Sequence, residues 1–355
     1  MLIKDLEFYR DKRVLVTGHT GFKGSWLCKM LVKAGAKVYG ISLLPNDSDS
    51  LYNIAHIDCI VESHICDIRN KSELYKIYDS IKPEIIFHLA AQALVRQSYD
   101  DPVFTYETNV NGTINLLECV RLAKCTRSIV IVTTDKVYKN NEWCWGYREN
   151  ETLNGFDPYS NSKSCAELVT QTYKNCYFKD NIAVSTARAG NVIGGGDFSV
   201  DRIVPDCIRA ALSDKIIRIR NPFSIRPYQH VLEPLSAYLL IAQKQYQNLE
   251  YSSCYNIGPN ESDCVNTNQL VDIFIKEWGG DFQKKIQIDE NAPHESTFLK
   301  LDCSYIKNSI GWKPVWNIDY AINRTVEWTK YWHEGKNIVE CMEHQIDEFY
   351  KDREK

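Results

Sequence analysis

Long apolar runs, a strong charge of one sign and closely spaced cysteine pairs are all missing from this chain. No apolar run approaches the ~20 residues of a membrane-spanning helix, and the charged start lacks the apolar core of a secretory signal. The formal net charge of −4 gives no basic field that would attract nucleic acid. We therefore expect a soluble globular protein, as the 44% apolar and 25% charged residues also indicate.

Cysteine is abundant, but its arrangement suits neither metal nor disulfide chemistry. The thirteen cysteines are odd in number and scattered, and no two of them form a CxxC pair. A zinc site or a disulfide framework would show matched spacings. The sequence therefore predicts no metal site, and it predicts free thiols in a reducing cytoplasm.

Strand-like and helix-like segments alternate over the first part of the chain. The predicted strands are 13–17, 37–42, 59–65, 84–89, 128–132 and 182–187, and helical patterns such as 103–123 separate them. This alternation predicts an α/β fold with a doubly wound parallel sheet of the Rossmann type over residues 1–193. Ligands in such sheets bind beyond the carboxyl ends of the strands.

The pattern loosens after Gly194, where predicted helices are joined by Pro- and Asn-rich loops. We expect residues 194–355 to form mainly a smaller mixed α/β lobe over the sheet edge, with some segments able to return to the first domain. Arg220, Arg226 and His230 cluster in this lobe, and arginine pairs suit phosphate groups. A solvated basic face is the alternative. The tail, 335–355, predicts a final surface helix.

A glycine-rich turn, TGHTGFKG, follows the first predicted strand and precedes a helical pattern. Gly18, Gly21 and Gly24 permit a tight turn and a close backbone approach to a pyrophosphate, and the helix N-terminus offers free N–H groups. The spacing GxxGxxG differs from the general GxGxxG fingerprint. An acid that binds the NAD ribose usually ends the second strand, but Gly40-Ile41-Ser42 stands there, so NAD and NADP both remain open.

Tyr159 and Lys163 are four residues apart at the start of a predicted helix, and therefore lie on one face. A phenol titrates near ~10 in water, and a neighbouring ammonium favours its ionised form. Lowering the Tyr159 pKa to ~7 needs about 4 kcal/mol, which a buried lysine and a cationic cofactor could supply together. YxxxK is a short pattern, and an ordinary helix start with a solvated lysine is the alternative.

Several motifs together carry a family resemblance over most of the chain. They are TGHTGFKGSWL, FHLAAQALVRQSY, YETNVNGT, VTTDK, EWCWGYRENE, FDPYSNSKSCAELV, ARAGNVIGGGD, RPYQHVLEPL, PHE and LKLDCS. In this order they resemble the extended short-chain dehydrogenase/reductase family, and within it the bacterial CDP-glucose 4,6-dehydratases. The resemblance implies a cytoplasmic lyase that uses bound NAD in deoxysugar and O-antigen polysaccharide biosynthesis.

The resemblance also implies a mechanism on CDP-glucose. Tyr159 would take the proton of the 4-hydroxyl while hydride leaves C4, with Lys163 holding the nicotinamide ribose and Thr134 hydrogen-bonding the 4-oxygen. Asp135 would protonate the departing 6-hydroxyl, and hydride return to C6 would give CDP-4-keto-6-deoxyglucose. Related dTDP-glucose enzymes carry a glutamate base where this chain has Lys136. Lys136 is therefore either that base or an ion-pair partner that organises Asp135.

The remaining site residues also come from the resemblance. Asn109 is expected to support the active-site strand. The cofactor is expected to contact Tyr159, Lys163, Gly18, Thr20, Gly21, Phe22, Lys23, Gly24, Asp67, Ile68, Leu89, Ala90 and Ala91. The nucleotide sugar is expected to contact Gln92, Arg96, Tyr99, Asn191, Arg226 and His230.

The family pairs its subunits through two helices, here 103–123 and 162–178, so the resemblance implies a homodimer or homotetramer. Other functions remain as alternatives. A dehydratase for another nucleotide sugar, a nucleotide-sugar 4-epimerase or a 4-reductase would share Tyr159 and Lys163, and a non-catalytic dinucleotide sensor would need neither. Asp135 argues against the epimerase, which lacks an acid at that position.

Overall fold

The computed structural model describes residues 4–45, 47–178, 181–213, 216–280, 282–287 and 297–355. The PHE motif at 293–295 lies outside them. The strands are β1 Arg13–Thr17, β2 Lys37–Ser42, β3 Glu62–Ile65, β4 Ile85–His88, β5 Ser128–Val132, β6 Ala183–Ala189, β7 Val192–Ile193, β8 Ile217–Ile219, β9 Ile225–Arg226, β10 Gln229–His230, β11 Cys254–Ile257, β12 Val265–Asn266 and β13 Lys284–Ile286.

Helices cover both faces of the sheet and build the smaller lobe. They are α1 Phe22–Lys33, α2 Leu51–Ile54, α3 Lys71–Ile81, α4 Val95–Asp100, α5 Pro102–Tyr106, α6 Gly112–Ala123, α7 Pro158–Tyr177, α8 Ile203–Leu212, α9 Leu232–Gln247, α10 Thr267–Trp278, α11 Ser304–Ser309, α12 Ile318–His333 and α13 Ile338–Arg353. Within the described ranges, none of the helices is both long and apolar enough to cross a membrane.

A seven-stranded parallel sheet forms the centre of the molecule, in the order β11-β6-β5-β4-β1-β2-β3. The Rossmann-type fold predicted from sequence is therefore confirmed. Strands β1, β4 and β5 are almost wholly buried, as their unbroken apolar runs require of a sheet covered on both faces. One apolar cluster fills the face under α1, α9 and α13, and a second fills the face under α3 and α6.

Segments beyond residue 194 contribute to this sheet. Strand β11 pairs in parallel with β6, from Cys254 opposite Thr186 to Ile257 opposite Ala189. Helix α9 lies under the same face, because Leu235 and Tyr238 belong to the cluster that covers it. The larger domain therefore draws on both halves of the chain.

The C-terminal tail is more deeply packed than a surface helix. Met342, Ile346 and Phe349 of α13 are fully buried in the cluster beneath α1. Their spacing of four and three residues places them on one stripe of the helix. Lys29 of α1 pairs with Glu343 at 2.7 Å at the edge of this contact. The tail is therefore anchored to the larger domain, and only its outer face is exposed.

The predicted helix over 103–123 is interrupted by a π-helical turn. Helix α5 passes into a π turn at Glu107–Asn111, which then continues into α6. A π turn inserts an extra residue into the helix and re-aims its side chains, often next to a functional site. This turn carries Asn109, which is buried and faces α7.

Candidate active site

The glycine-rich turn is shaped by its own backbone at two positions and is open at the third. Gly18 has φ +76°, and a Cβ there would lie 2.7 Å from the Ala90 nitrogen. A Cβ on Gly24 would lie 2.1 Å from the Gly18 oxygen. A Cβ on Gly21 would meet only that oxygen, at 3.4 Å, so the protein itself does not require glycine there. Gly21 caps α1 without a side-chain hydrogen bond, which leaves the first N–H groups free for a phosphate.

The end of β2 is built from hydroxyl groups rather than an acid. Thr20 Oγ1 donates to the Leu43 carbonyl at 3.0 Å and accepts from Ser42 Oγ at 2.8 Å. His19 lies over Gly40, where a Cβ would be only 2.3 Å from the imidazole ring. Burial lowers the pKa of His19 to about 4, so this ring is neutral at pH 7 and adds no positive charge near the ribose end of the turn.

The loops after β3 and β4 approach the same edge. Asp67 is half-buried, and its carboxylate accepts from Arg69 Nη2 at 2.7 Å, which lowers its pKa. Ile68 is buried, and a Cβ on Gly112 would overlap its side chain. The Ala90 N–H donates to Thr17 Oγ1 at 3.2 Å, and its neighbours Leu89 and Ala91 are half-exposed.

Thr134 and Asp135 follow β5, as predicted, and are both buried. Thr134 Oγ1 donates to Asp135 Oδ1 at 2.9 Å, while Asp135 Oδ2 has no hydrogen-bond partner in the described chain. Lys136 is half-buried, and its ammonium makes no hydrogen bond or ion pair with a described residue. Thr134, rather than Lys136, therefore organises Asp135 here, and the buried Oδ2 is left without a hydrogen bond from the described residues.

Tyr159 and Lys163 lie in the first turns of α7, as their spacing predicted, with Asp157 as the N-cap. Lys163 is buried, and its Nζ donates to the Val132 carbonyl at 3.1 Å. Burial lowers the pKa of Lys163 to about 8. Burial raises the pKa of Tyr159 to about 12, opposed by a hydrogen bond with Thr134 and by a positive charge from Arg202.

The direction of the pKa shift at Tyr159 agrees with the prediction that Lys163 needs a cationic cofactor beside it to lower this pKa. The Lys163 ammonium is directed to the end of β5, and burial of the phenol outweighs the groups that favour ionisation. The protein's own side chains therefore keep Tyr159 protonated at neutral pH. An additional positive charge beside the phenol is required before it can act as a base.

Two more cationic side chains, Lys23 and Arg202, interact electrostatically with these catalytic residues. Burial and the charge of Lys163 lower the pKa of Lys23 to about 7, and Arg202 acts in the same direction. The Lys23 ammonium lies over the Tyr238 ring, 5.6 Å from its centroid. Arg202 is held by Asp197 at 3.1 Å. Sequence reasoning missed Arg202, because a lone arginine at the start of a helix resembles any solvated residue.

Asn109, predicted to support the active-site strand, instead connects the loop after β4 to α7. Its Nδ2 donates to Ser162 Oγ at 2.9 Å and to the Gln92 carbonyl at 3.0 Å, and its Oδ1 accepts from the Gln92 N–H at 2.8 Å. The Gln92 side chain bonds Leu94 and Thr105. Gln92 therefore shapes its own loop, and its amide is already fully engaged without a substrate.

The other predicted substrate residues lie on the turn after β6, on β9 and on α4. Asn191 follows β6 with φ +47° and is half-exposed. Arg226 is buried on β9, and its Nη1 donates to the Ile225 carbonyl at 3.0 Å. Arg96 is exposed and pairs with Asp201 at 3.5 Å, and Tyr99 is 41% exposed.

His230 is not a substrate contact, contrary to prediction. It is fully buried, with its ring 4.9 Å from the Trp316 ring and 6.2 Å from the Trp26 ring. Strand β10 pairs with β7, which directs His230 into the core of the larger domain rather than toward the cleft. Burial lowers its pKa to about 3. A neutral, enclosed imidazole cannot bind a diphosphate.

A His230→Asn variant tests whether this side chain belongs to the core rather than to the substrate site. The unfolded chain protonates a histidine near 6.5 and the native one only near 3, so native stability falls as the pH drops below about 6.5. The melting temperature of the variant should therefore fall less than that of wild type between about pH 7 and about pH 5. The KM of the variant for its substrate should stay within about twofold of the wild-type value. Calorimetry and steady-state kinetics measure both. A tenfold rise in KM would return His230 to the substrate site.

A buried ion pair lies beneath the cluster. Glu167 Oε2 accepts from Arg188 Nη2 at 2.8 Å, and Glu167 Oε1 accepts from Thr133 Oγ1 at 2.5 Å. Arg188 Nη1 also donates to the Tyr138 hydroxyl at 2.8 Å. A buried charge is tolerated only when it is paired and hydrogen-bonded, as both are here. The pair ties α7 to the ends of β5 and β6, and thus Tyr159 to Asp135.

Gly190 sets the position of the Asp135 carboxylate. A Cβ on Gly190 would lie 2.0 Å from both Asp135 Cγ and Oδ2. A Gly190→Ala variant must therefore displace the carboxylate, and a shift of about 1 Å costs roughly 100-fold in rate. We expect kcat to fall by about that factor. Gly258→Ala is the control, since its Cβ would lie 3.4 Å from Cys303 Sγ and 3.8 Å from Leu301 Cβ and Cδ1, which are ordinary contacts. Equal kcat in the two variants would contradict the role given to Gly190.

Comparison with known proteins gives a family and a fold. Residues 15–325 match the model of the family described as GDP-mannose 4,6 dehydratase. A CDP-glucose 4,6-dehydratase of Salmonella typhimurium is 45% identical, over 97% of this chain and 98% of that protein.

Solved structures are similar in fold. The dTDP-glucose 4,6-dehydratase DesIV of Streptomyces venezuelae, with NAD and TYD bound, superposes with a TM-score of 0.79 at 24% identity, over 92% of this chain and 99% of that one. A UDP-glucose 4-epimerase of Thermotoga maritima, with UDP-glucose, gives 0.78 at 22% identity, over 91% and 99%. Epimerases and dehydratases thus share this architecture, and the fold alone does not distinguish them. The chain belongs to the GDP-mannose 4,6 dehydratase family.

Proposed function

We propose that the protein is a CDP-glucose 4,6-dehydratase, a lyase that forms CDP-4-keto-6-deoxyglucose and water. The observation that carries the proposal is the buried Asp135 carboxylate with one free oxygen, beside Thr134 and Tyr159. Oxidation at C4 needs a base, and loss of the 6-hydroxyl needs an acid within reach of the same sugar. The 45% identical relative is described as a CDP-glucose 4,6-dehydratase.

NAD is the cofactor, and the glycine-rich turn fits it. The space above Gly21, which a Cβ would occupy, lies at the free N-terminus of α1 and suits the pyrophosphate. Ser42 and Thr20 offer hydroxyl groups at the end of β2, and the neutral His19 gives no charge for a 2′-phosphate. When bound, NAD⁺ would supply a nicotinamide ring that accepts the hydride and later returns it, and whose positive charge would favour ionisation of Tyr159.

Each catalytic side chain then has one task. Tyr159 takes the proton of the sugar 4-hydroxyl once its pKa is lowered, and Thr134 hydrogen-bonds the 4-oxygen. Lys163 holds the ribose next to them. Asp135 in its protonated form gives a proton to the departing 6-hydroxyl, which leaves as water while a base takes the C5 proton. Return of the hydride to C6 and of a proton to C5 completes the product. Lys136 is the candidate for the base at C5, a role that only its neutral amine form can fill, and its side-chain nitrogen has no partner among the described residues.

The diphosphate is held on the small-lobe side of the cleft. Arg226 and Asn191 lie on the strand and turn that border it, and Arg202 adds a cation beside Tyr159. Arginine suits a diphosphate because its fork matches phosphate oxygens. Arg96 and Tyr99, on the exposed helix α4, form the outer edge of the sugar site.

A second copy of the chain packs against helices α5, α6 and α7. Apolar side chains remain exposed there, namely Val103 at 66%, Leu122 at 48%, Leu168 at 50% and Tyr177 at 57%. Such a surface is typical of an interface rather than of free solvent. Light scattering should give a dimer or tetramer, and Leu168→Arg should shift it toward a monomer. A monomeric wild-type protein would end this part of the proposal.

The protein acts in the cytoplasm, in deoxysugar biosynthesis for polysaccharides. All thirteen cysteines are unpaired, as a reducing compartment requires.

Incubation with CDP-, dTDP-, GDP- and UDP-glucose tests the proposal. CDP-glucose should give the alkaline absorbance of a 4-keto-6-deoxy sugar without net NADH, and the other three should react more slowly. Reaction of another nucleotide sugar in preference would change the substrate. Recovery of CDP-galactose would favour the 4-epimerase, the second function that this fold supports.

A further inference from the structure

A loop between the catalytic residues and α7 holds the distant segment 297–302. The Tyr147 N–H donates to the Lys300 carbonyl at 3.0 Å and the Tyr147 carbonyl accepts from the Asp302 N–H at 2.9 Å, whereas residues 297–298 are held by side chains. Glu142 accepts the Thr297 N–H and the Phe298 N–H through Oε2, each at 2.9 Å. Asn140 Nδ2 donates to the Phe298 carbonyl at 2.9 Å. Both backbone groups of Phe298 are thus satisfied by two side chains. A neighbouring strand would normally supply this acceptor and donor.

Strand β9 lies along the other edge of residues 297–299. Ile225 of β9 is bridged to Phe298, and the Ile225 N–H donates to the Thr297 carbonyl at 3.0 Å. The Leu299 N–H donates back to the Ile225 carbonyl at 3.4 Å. Residues 297–299 therefore lie between β9 and the loop of Asn140 and Glu142.

Strand β9 also carries Arg226, the residue proposed to bind the diphosphate. Its Nη1 donates to the Thr297 carbonyl at 3.5 Å, in addition to the Ile225 carbonyl. A strand of two residues cannot hold its own position, so β9 depends on its neighbours β12 and 297–299. The position of Arg226 is thereby linked to Glu142.

The loop itself is fixed to the catalytic segment. The Asn141 N–H donates to the Tyr147 hydroxyl at 2.6 Å, and the Tyr147 ring stacks on Tyr138 at 5.3 Å. Tyr138 directly follows the short helix of Asp135–Val137. Glu142 adopts φ +52°, which is uncommon for a residue with a Cβ, and its N–H donates to Asn140 Oδ1 at 2.8 Å. The conformation of the loop therefore directs the Glu142 carboxylate toward the N–H groups of Thr297 and Phe298.

We propose that Glu142 is a positioning residue for the nucleotide sugar, which clips residues 297–299 to the active-site loop and so holds Arg226 in place. The assignment rests on the proposed function for the role of Arg226. Hydrogen bonds to a carboxylate are about twice as strong as neutral ones, so Glu142 outweighs Asn140 in this clip. Glu142 touches no reacting atom, and its effect falls on binding rather than on chemistry.

Glu142→Ala tests the clip. We expect KM for CDP-glucose and the Kd of CDP alone to rise about tenfold, with kcat and NAD affinity within about twofold of wild type. Asn140→Ala should shift both constants in the same direction by less. Glu151→Ala, which removes a carboxylate elsewhere in the same loop, is the control and should leave both unchanged. Calorimetry with CDP separates binding from turnover.

Amide hydrogen exchange supplies a readout that needs no turnover. Residues 297–299 should exchange faster in Glu142→Ala than in Glu151→Ala, while the peptide containing Tyr159 exchanges equally. Unchanged exchange together with an unchanged Kd for CDP would overturn the clip, as would a loss of kcat at unchanged KM. If wild type fails to convert CDP-glucose, the proposed function falls, and exchange at 297–299 still decides the clip.

Discussion

An Asp135→Asn enzyme is expected to oxidise its substrate at C4 but to release product at least about a hundredfold more slowly than wild type. Asparagine keeps the shape of the side chain beside Gly190, and its oxygen can still accept the 2.9 Å hydrogen bond from Thr134. It carries no acidic proton for the departing 6-hydroxyl. Rapid mixing should therefore show reduced cofactor that forms normally and then persists.

A matched substitution separates this effect from a loss of charge. Asp272→Asn, on the exposed side of α10, removes a carboxylate that pairs with Lys284 far from the catalytic residues. It should leave both phases unchanged. Product formation at the wild-type rate in Asp135→Asn would remove the acid role from this residue. A slow oxidation phase would instead place Asp135 in the first step.

A Tyr159→Phe enzyme is expected to lose the oxidation step itself, with a fall of about a thousandfold in the rate at which reduced cofactor appears. Phenylalanine fills the same volume in α7 and removes only the hydroxyl. Burial already raises the pKa of Tyr159 to about 12, so the wild-type base depends on the cofactor's charge. Single-turnover absorbance measures this step directly.

Cofactor affinity is the control for this variant. NAD binding should stay within about tenfold of wild type, since Lys163 and the glycine-rich turn are untouched. Oxidation at a rate near that of wild type would show that another group takes the 4-hydroxyl proton. Lys163 would then be the first residue to test.

The parts of the fold that the sequence predicted best are those governed by local patterns. Strands β1 and β5 were predicted with their exact bounds, because continuous apolar runs mark strands that are buried on both faces. The spacing of Tyr159 and Lys163 placed them on one face of α7 for the same local reason.

Long-range contacts explain what the sequence could not predict. Strand β11 is four residues long and carries no clear period, so its pairing with β6 depends on the finished sheet. His230 lies in the same motif as Arg226 and was predicted to contact the substrate, but the pairing of β10 with β7 buries it. The contact between Glu142 and Phe298 joins residues far apart in the chain, which no local pattern reports.

Conversion of CDP-glucose that carries deuterium at C4 tests the central claim most directly. A 4,6-dehydratase moves that hydrogen within one molecule, so nuclear magnetic resonance should find deuterium at C6 of the 4-keto-6-deoxy product. Mixed labelled and unlabelled substrate should show no exchange between molecules. Deuterium retained at C4 of a galactose product, or lost to free cofactor, would contradict the account.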